Sequence, residues 1–184
     1  MSLRPPVGPD DHAQGPADAP VTLVEYGDYE CPHCGRAHPV VQEVRARLGD
    51  RLRFVFRNFP LTEIHPHALH AAEAAESVGA QLGAAGYWPM HDAIFEHQQD
   101  SRTALSDHHL ADYATAVGAD GARVLADLDG DAHVARVQAD FSSGVRSGVN
   151  GTPTFFVNGV RYDGNWTDAD AFAADLEAAV RAAG

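Results

Sequence analysis

Cysteine is scarce in this chain: its 184 residues include two. That excludes a disulfide-stapled secreted scaffold, which needs several bridges to stand in for a core. Basic residues are few as well. Thirteen Lys and Arg stand against 26 Asp and Glu, a formal net charge of −13. Such a surface repels phosphate backbones, so nucleic acid is not an expected partner, and the plain consequence of the acidity is solubility. No run of about 20 apolar residues is present, so no transmembrane segment is expected. The first 20 residues are rich in Pro, Asp and Gly and lack the apolar stretch of a secretory leader. As it stands the chain reads as cytoplasmic; it would be periplasmic or extracytoplasmic if a leader had preceded Met1-Ser2-Leu3.

The length suits one domain, or one domain with a large insertion, and suffices to bury a core without disulfides. Prolines at 5, 6, 9, 16 and 20 mark an irregular N-terminal arm. Val21-Thr22-Leu23-Val24-Glu25-Tyr26 is a compact β-prone run, and Gly27-Asp28-Tyr29-Glu30 turns the chain toward Cys31. Pro32 fits the first position of a helix, where a missing N–H costs nothing. Val40, Val41, Val44 and Leu48 continue that helix at helical spacing until Gly49, and Leu52–Asn58 alternates apolar and polar residues as a second strand. Strand, helix, strand is a βαβ unit.

A helical block follows. Ala68, Ala71, Ala72, Ala75, Val78 and Leu82 form one stripe, broken at Gly83–Gly86. Trp88, His91, Ile94 and Phe95 start another helix. Ser106 is a candidate N-cap for a helix to Val117, and two further helices are expected over about 119–128 and 131–147. The end is β again: Thr154–Val157 is a strand, Asn158-Gly159 a strong hairpin signal, and Val160–Tyr162 the return strand. Thr167 with Asp170 resembles a capping box opening the last helix, with Phe172, Leu176, Ala179 and Val180 on its buried face.

The two cysteines form Cys31-Pro32-His33-Cys34. Any bridge within the chain joins them, and closing so short a loop stabilises little, because disulfide stabilisation grows with loop length. Placed this way, the pair points to chemistry. Thiol–disulfide exchange needs a thiolate. Cys31 lies where a helix begins, and the unpaired N–H groups and dipole of that end stabilise negative charge. Cys34, one turn on, is the expected buried, resolving thiol. His33, if it is protonated or donates a hydrogen bond, stabilises the Cys31 thiolate further. Lowering a thiol pKa by about three units, while it stays near or above ambient pH, favours the reduced pair by roughly 90 mV.

The order βαβ, helical block, ββα, together with Cys31-Pro32-His33-Cys34 after the first strand, Asn58-Phe59-Pro60 after the second and Gly151-Thr152-Pro153-Thr154 before the third, resembles the DsbA-like thiol:disulfide oxidoreductases of the thioredoxin superfamily. The resemblance covers roughly residues 18–183. It implies an α/β thioredoxin fold with an all-helical insertion: an irregular arm over 1–17, the thioredoxin-fold part over 18–60 and 148–184, and the insertion over 61–147. It implies exchange with protein thiols or disulfides through Cys31 and Cys34, in the oxidase direction that Pro32-His33 accompanies in the family. Glu25 matches a buried acid near the resolving cysteine, which burial would suit to act as its base. Thr152 and Pro153 match the residue before the cis-proline and that proline, which with Pro32 receive a substrate strand. No cofactor is expected beyond the redox-active disulfide, and the expected partners are substrate proteins and a recycling redox partner, with the chain a monomer.

Eleven histidines raise the question of a metal. His67 and His70 could share a helical face, but no metal site is expected, because zinc wants four ligands and no second cysteine pair exists. Gly35 after Cys34 excludes a c-type haem motif. Three other readings remain: a cytosolic reductase or isomerase, a redox-inactive peptide-binding module, and a metal-binding protein.

Overall fold

The computed structural model describes residues 1–183; Gly184, the last residue of the expected C-terminal part, lies outside the described residues. The elements run β1 (His12–Gln14), β2 (Val21–Gly27), α1 (Pro32–Leu48), β3 (Leu52–Asn58), α2 (Ala68–Leu82), α3 (Ala84–His97), α4 (Asp107–Ala116), α5 (Gly121–Asp129), α6 (Val134–Arg146), β4 (Thr154–Val157), β5 (Val160–Arg161) and α7 (Ala169–Ala183). This is the α/β order expected, a five-stranded sheet with a helical block inserted after β3. The chain divides into two compact units: residues 1–27, 36–57 and 142–184, and residues 28–35 and 58–141. Among the described residues no helix is long and apolar enough to cross a membrane.

The first unit carries the sheet, ordered β1-β3-β2-β4-β5. Every residue of β2 except Thr22 is buried, and the strand has neighbours on both edges. β4 runs antiparallel to β2, placing Glu25 opposite Phe155 and Tyr26 opposite Thr154. β4 turns into β5 through Asn158 and Gly159, whose φ angles of 47° and 80° are those that the Asn-Gly signal anticipates. α7 packs on β2 with Phe172, Ala173 and Leu176 buried.

Three local expectations change. The irregular arm contains a strand: β1 pairs antiparallel with β3, His12 opposite Phe56 and Gln14 opposite Phe54. The prolines bracket this stretch but leave 10–15 proline-free, and an open sheet edge recruits it. β3 is not half-exposed, because Arg57 and Asn58 are buried at its end through side-chain hydrogen bonds. The cap of α7 is Asp168, whose carboxylate accepts from the N–H groups of Asp170 and Ala171, while Thr167 bonds Asn165 instead. The acidic side chain reaches the free N–H groups one residue closer to the helix than the expected box.

Arg36–Leu48 of α1 belongs to the first unit, and His38 is buried on it, its Nε2 3.0 Å from Gln42 Nε2. Burial, with the positive charge of Arg45 adding to it, lowers the His38 pKa to about 4. The unfolded chain binds this proton near pH 6.5. Stability from His38 is therefore complete above about pH 6.5 and is lost as pH falls toward 4. The expected loss is about 2 kcal/mol by pH 5, or roughly 4–8 °C in Tm. Thermal unfolding of wild type and His38→Leu at pH 7.5 and 5 checks this; an unchanged pH slope in the variant would rule His38 out as the cause.

The second unit is helical. α2 packs against α3, α4 and α5. Its alanine stripe, with Ala68, Ala71, Ala72, Ala75 and Val78 all buried, lets neighbouring helices approach closely, whereas Leu82 is exposed at its end. Asp120 caps α5 through the N–H groups of Ala122 and Arg123. At the start of this unit Asn58 donates through Nδ2 to Glu76 Oε1 (2.8 Å) and Asp140 Oδ2 (3.2 Å), and Arg136 pairs with Asp140.

Candidate redox site

The residues between β2 and α1 form a turn whose backbone bonds define where the helix starts. Cys31 N–H donates to the Asp28 carbonyl at 3.1 Å, and Gly35 N–H donates to the Cys31 carbonyl at 3.1 Å. The second is the first i to i+4 bond of α1, so Cys31 is its N-cap and Pro32 its first helical residue. Cys31 and Cys34 are in the thiol form, 4% and 0% exposed, and Pro32 and His33 between them are exposed. Sulfur at Cys31 thus sits at the end of a helix where the N–H groups of the first turn lack helical partners. Cys34, facing inward, accepts a hydrogen bond at Sγ from Asp28 N–H at 3.4 Å.

Residues distant in sequence hold this turn. Gln98, just past α3, donates through Nε2 to the carbonyls of Tyr29 (2.8 Å) and Cys31 (3.5 Å). A Cβ at Gly35 would lie 2.4 Å from Gln98 Oε1, so only glycine leaves room for this brace. Tyr29 is buried with its hydroxyl 2.9 Å from His91 Nδ1 and its ring against Phe95. Asp28 accepts from Glu30 N–H, Leu61 N–H and His65 Nδ1, each at 2.8 Å. Glu30 accepts from His67 N–H at 2.6 Å, at the N-terminal end of α2.

Of the residues singled out in the sequence, Cys31, Pro32, His33 and Cys34 come together on the first turn of α1. Glu25, Thr152 and Pro153 belong to the first unit. Glu25 is buried in β2, and the Thr152–Pro153 bond, which is cis, leads directly into β4 beside it. Asp28, Tyr29, His91 and Gln98 were not legible as part of the site. Asp28-Tyr29-Glu30 carries the signature of an Asx turn, but nothing local announces what its carboxylate binds. Two of the clustered histidines have acidic partners: His65 bonds Asp28, and His70 Nδ1 lies 2.7 Å from Asp107 Oδ1.

A helix-capping cysteine with a second cysteine inward one turn on, and a sheet ordered β1-β3-β2-β4-β5, suit a thioredoxin-type chain, and comparison with known proteins agrees on the family. The family described as thioredoxin matches residues 8–176, so the chain belongs to the thioredoxin family. The fold is the DsbA-like one. The oxidised BdbD of Bacillus subtilis has a TM-score of 0.82 at 26% identity, with 93% of each chain covered. A thioredoxin-like oxidoreductase of Silicibacter pomeroyi DSS-3 gives 0.77 at 26% identity, covering 96% of this chain and 95% of that one. The α-DsbA1 of Wolbachia pipientis shares the fold, with a TM-score of 0.80 at 21% identity over 96% and 94% of the two chains. In sequence the chain is 44% identical over 167 residues to the Na(+)/H(+) antiporter NhaA 1 of Salinispora arenicola (strain CNS-205), covering 90% of this chain and 24% of that protein. The chain spans about a quarter of the length of the curated relatives it matches.

Proposed function

We propose that the chain is a protein thiol–disulfide oxidoreductase that works as a disulfide oxidase through Cys31 and Cys34. The observation that supports it most is the placement of Cys31 as N-cap of α1 with Cys34 one turn behind it. In the oxidase cycle a substrate thiolate attacks Cys31 Sγ of the Cys31–Cys34 disulfide. The Cys31–Cys34 bond breaks, a mixed disulfide forms, and Cys34 leaves as thiolate and takes a proton. A second substrate thiolate then attacks the substrate sulfur of the mixed bond and expels the Cys31 thiolate. The substrate has lost two electrons and two protons, and the protein is left as the dithiol. A separate oxidant, accepting two electrons from that dithiol, recycles it. A helix N-terminus that stabilises the Cys31 thiolate makes it a better leaving group.

In this reading His33 adds to that stabilisation, and Glu25 exchanges the proton of Cys34. Thr152, Pro153 and Pro32 receive an extended substrate segment, and the chain works as a monomer. No cofactor other than the cysteine pair is needed. The direction carries the compartment with it, because oxidases act where thiols are not kept reduced.

Equilibration in graded glutathione buffers, with the dithiol fraction read by thiol alkylation, tests the direction. A reduction potential near about −120 mV is the expected result. A value near about −270 mV would replace the oxidase by a reductase in a reducing compartment, and no defined two-electron equilibrium would leave a peptide-binding module.

A second reading rests on the relatives of high identity. They are named Na(+)/H(+) antiporters, and this chain matches about a quarter of each. In that reading the redox pair serves as a module attached to, or associated with, such a transporter. Sodium–proton exchange by a co-expressed antiporter, measured in vesicles with the cysteine pair reduced and oxidised, would then differ between the two states.

A further inference from the structure

Asp28 touches both cysteines. Its carbonyl accepts from Cys31 N–H at 3.1 Å, and its own N–H donates to Cys34 Sγ at 3.4 Å. The orientation of this one residue therefore sets a donor on one sulfur and the start of the helix beneath the other. Its side chain is fully buried and is fixed by three donors: Glu30 N–H on Oδ1, and Leu61 N–H and His65 Nδ1 on Oδ2, all at 2.8 Å. Two of the three are backbone N–H groups, one two residues on and one 33 residues away. The third, His65, is the one side chain among them and lies 37 residues away.

We infer that His65, acting through Asp28, is a positioning residue that shifts the redox equilibrium of Cys31 and Cys34 toward the dithiol. The inference rests on the thiol–disulfide reading above. Two effects act in the same direction. The hydrogen bond from Asp28 N–H to Cys34 Sγ favours the electron-rich sulfur of the reduced pair over the weaker acceptor of a disulfide, and His65 helps hold the peptide that donates it. His65 also draws on the negative charge of the Asp28 carboxylate. Without that donor the charge carried by the residue whose backbone meets both cysteines is shared less, and negative charge in the vicinity disfavours a thiolate. Losing His65 thus weakens the reduced form on both counts. The side chain of His65 is 16% exposed, so a variant that fills similar space is needed beside the alanine one.

The test compares wild type, His65→Ala and His65→Gln, each equilibrated with reduced and oxidised glutathione and checked for unchanged secondary structure by circular dichroism. His65→Ala should move the equilibrium constant toward the disulfide by about three- to tenfold; tenfold corresponds to about 30 mV more negative. His65→Gln keeps an N–H within reach of Asp28 and should stay near wild type. A His65→Ala equilibrium equal to that of wild type would overturn the positioning role while leaving the oxidoreductase reading intact, and so would equal shifts in the alanine and glutamine variants. A wild-type protein with no dithiol–disulfide equilibrium would overturn the oxidoreductase reading and this inference with it.

Discussion

Cys31→Ser is expected to abolish thiol–disulfide exchange, whereas Cys34→Ala should keep the first attack and accumulate a mixed disulfide. The reason lies in the first turn of α1. A free cysteine with a pKa near about 8.5 already presents some thiolate at neutral pH, and a helix N-cap position raises that fraction. A serine hydroxyl offers no anion in this range and cannot form a disulfide. Removing Cys34 instead leaves Cys31 at the helix end but deprives the mixed disulfide of the thiol that would break it from within. Each variant is incubated with a peptide disulfide, and adducts are separated on non-reducing gels. Cys31→Ser giving wild-type exchange would sink the proposed enzyme and favour a binding module. A mixed disulfide that accumulates on Cys34 of the Cys31→Ser variant, with none on Cys31 of the Cys34→Ala variant, would exchange the roles of the two residues.

The largest effect on stability is expected at Arg57, away from the cysteines. Its guanidinium is 3% exposed at the end of β3. It makes a two-point fork to Asp11, with Nε 2.7 Å from Oδ1 and Nη2 2.9 Å from Oδ2. It also donates to the Pro5 carbonyl (3.1 Å), the Pro6 carbonyl (3.2 Å) and the Tyr26 hydroxyl (2.9 Å). Burial works against its charge, but the hydrogen bonds to Asp11 and Tyr26 outweigh that and hold its pKa above the usual arginine value. Arg57→Met keeps much of the packing and removes all five donations, so the nearly buried Asp11 carboxylate loses its guanidinium and keeps the Gly8 N–H at 2.7 Å. Breaking a buried pair from one side costs about 3–5 kcal/mol, which for a chain of this size lowers Tm by roughly 6–20 °C. The N-terminal segment, whose Pro5 and Pro6 carbonyls Arg57 ties down, should also become sensitive to protease.

Urea unfolding of Arg57→Met, Asp11→Asn and the double variant measures this. The double variant should lose clearly less than the sum of the two single losses, because the second substitution removes the buried charge whose guanidinium the first took away. A change below about 0.5 kcal/mol in Arg57→Met would mean that the network is no stronger than an ordinary surface contact. Lysine at 57 should rescue only part of the loss, since one ammonium cannot reproduce the fork and both carbonyl bonds.

The sequence by itself determined the order of the elements from β2 onward and singled out Cys31 and Cys34 as the candidate pair. Apolar runs at Val21–Tyr26 and Leu52–Phe56, proline at the first helical position after Cys31, the alanine stripe of α2 and the Asn158-Gly159 turn are all local features, each set by residues within a turn or a strand's length of one another. The fold class could be inferred from them because backbone propensity and hydrophobic period act over those same few residues. Tertiary structure alone decided the rest. β1 is a strand because the edge of β3 offers it unpaired hydrogen-bonding groups, not because its own residues favour extension. Arg57, in phase with Arg53, looks like the exposed side of an alternating strand and Asn58 like its polar end, until Asp11, 46 residues away from Arg57, and Asp140, 82 residues away from Asn58, supply partners that make burial tolerable. Around the cysteines, the brace from Gln98 and the hold of His65 on Asp28 come from residues 67 and 37 positions removed from those they bind. A hydrogen bond depends on distances of about 3 Å and on angles, and neither can be seen in residue order until the folded backbone has brought the two groups together.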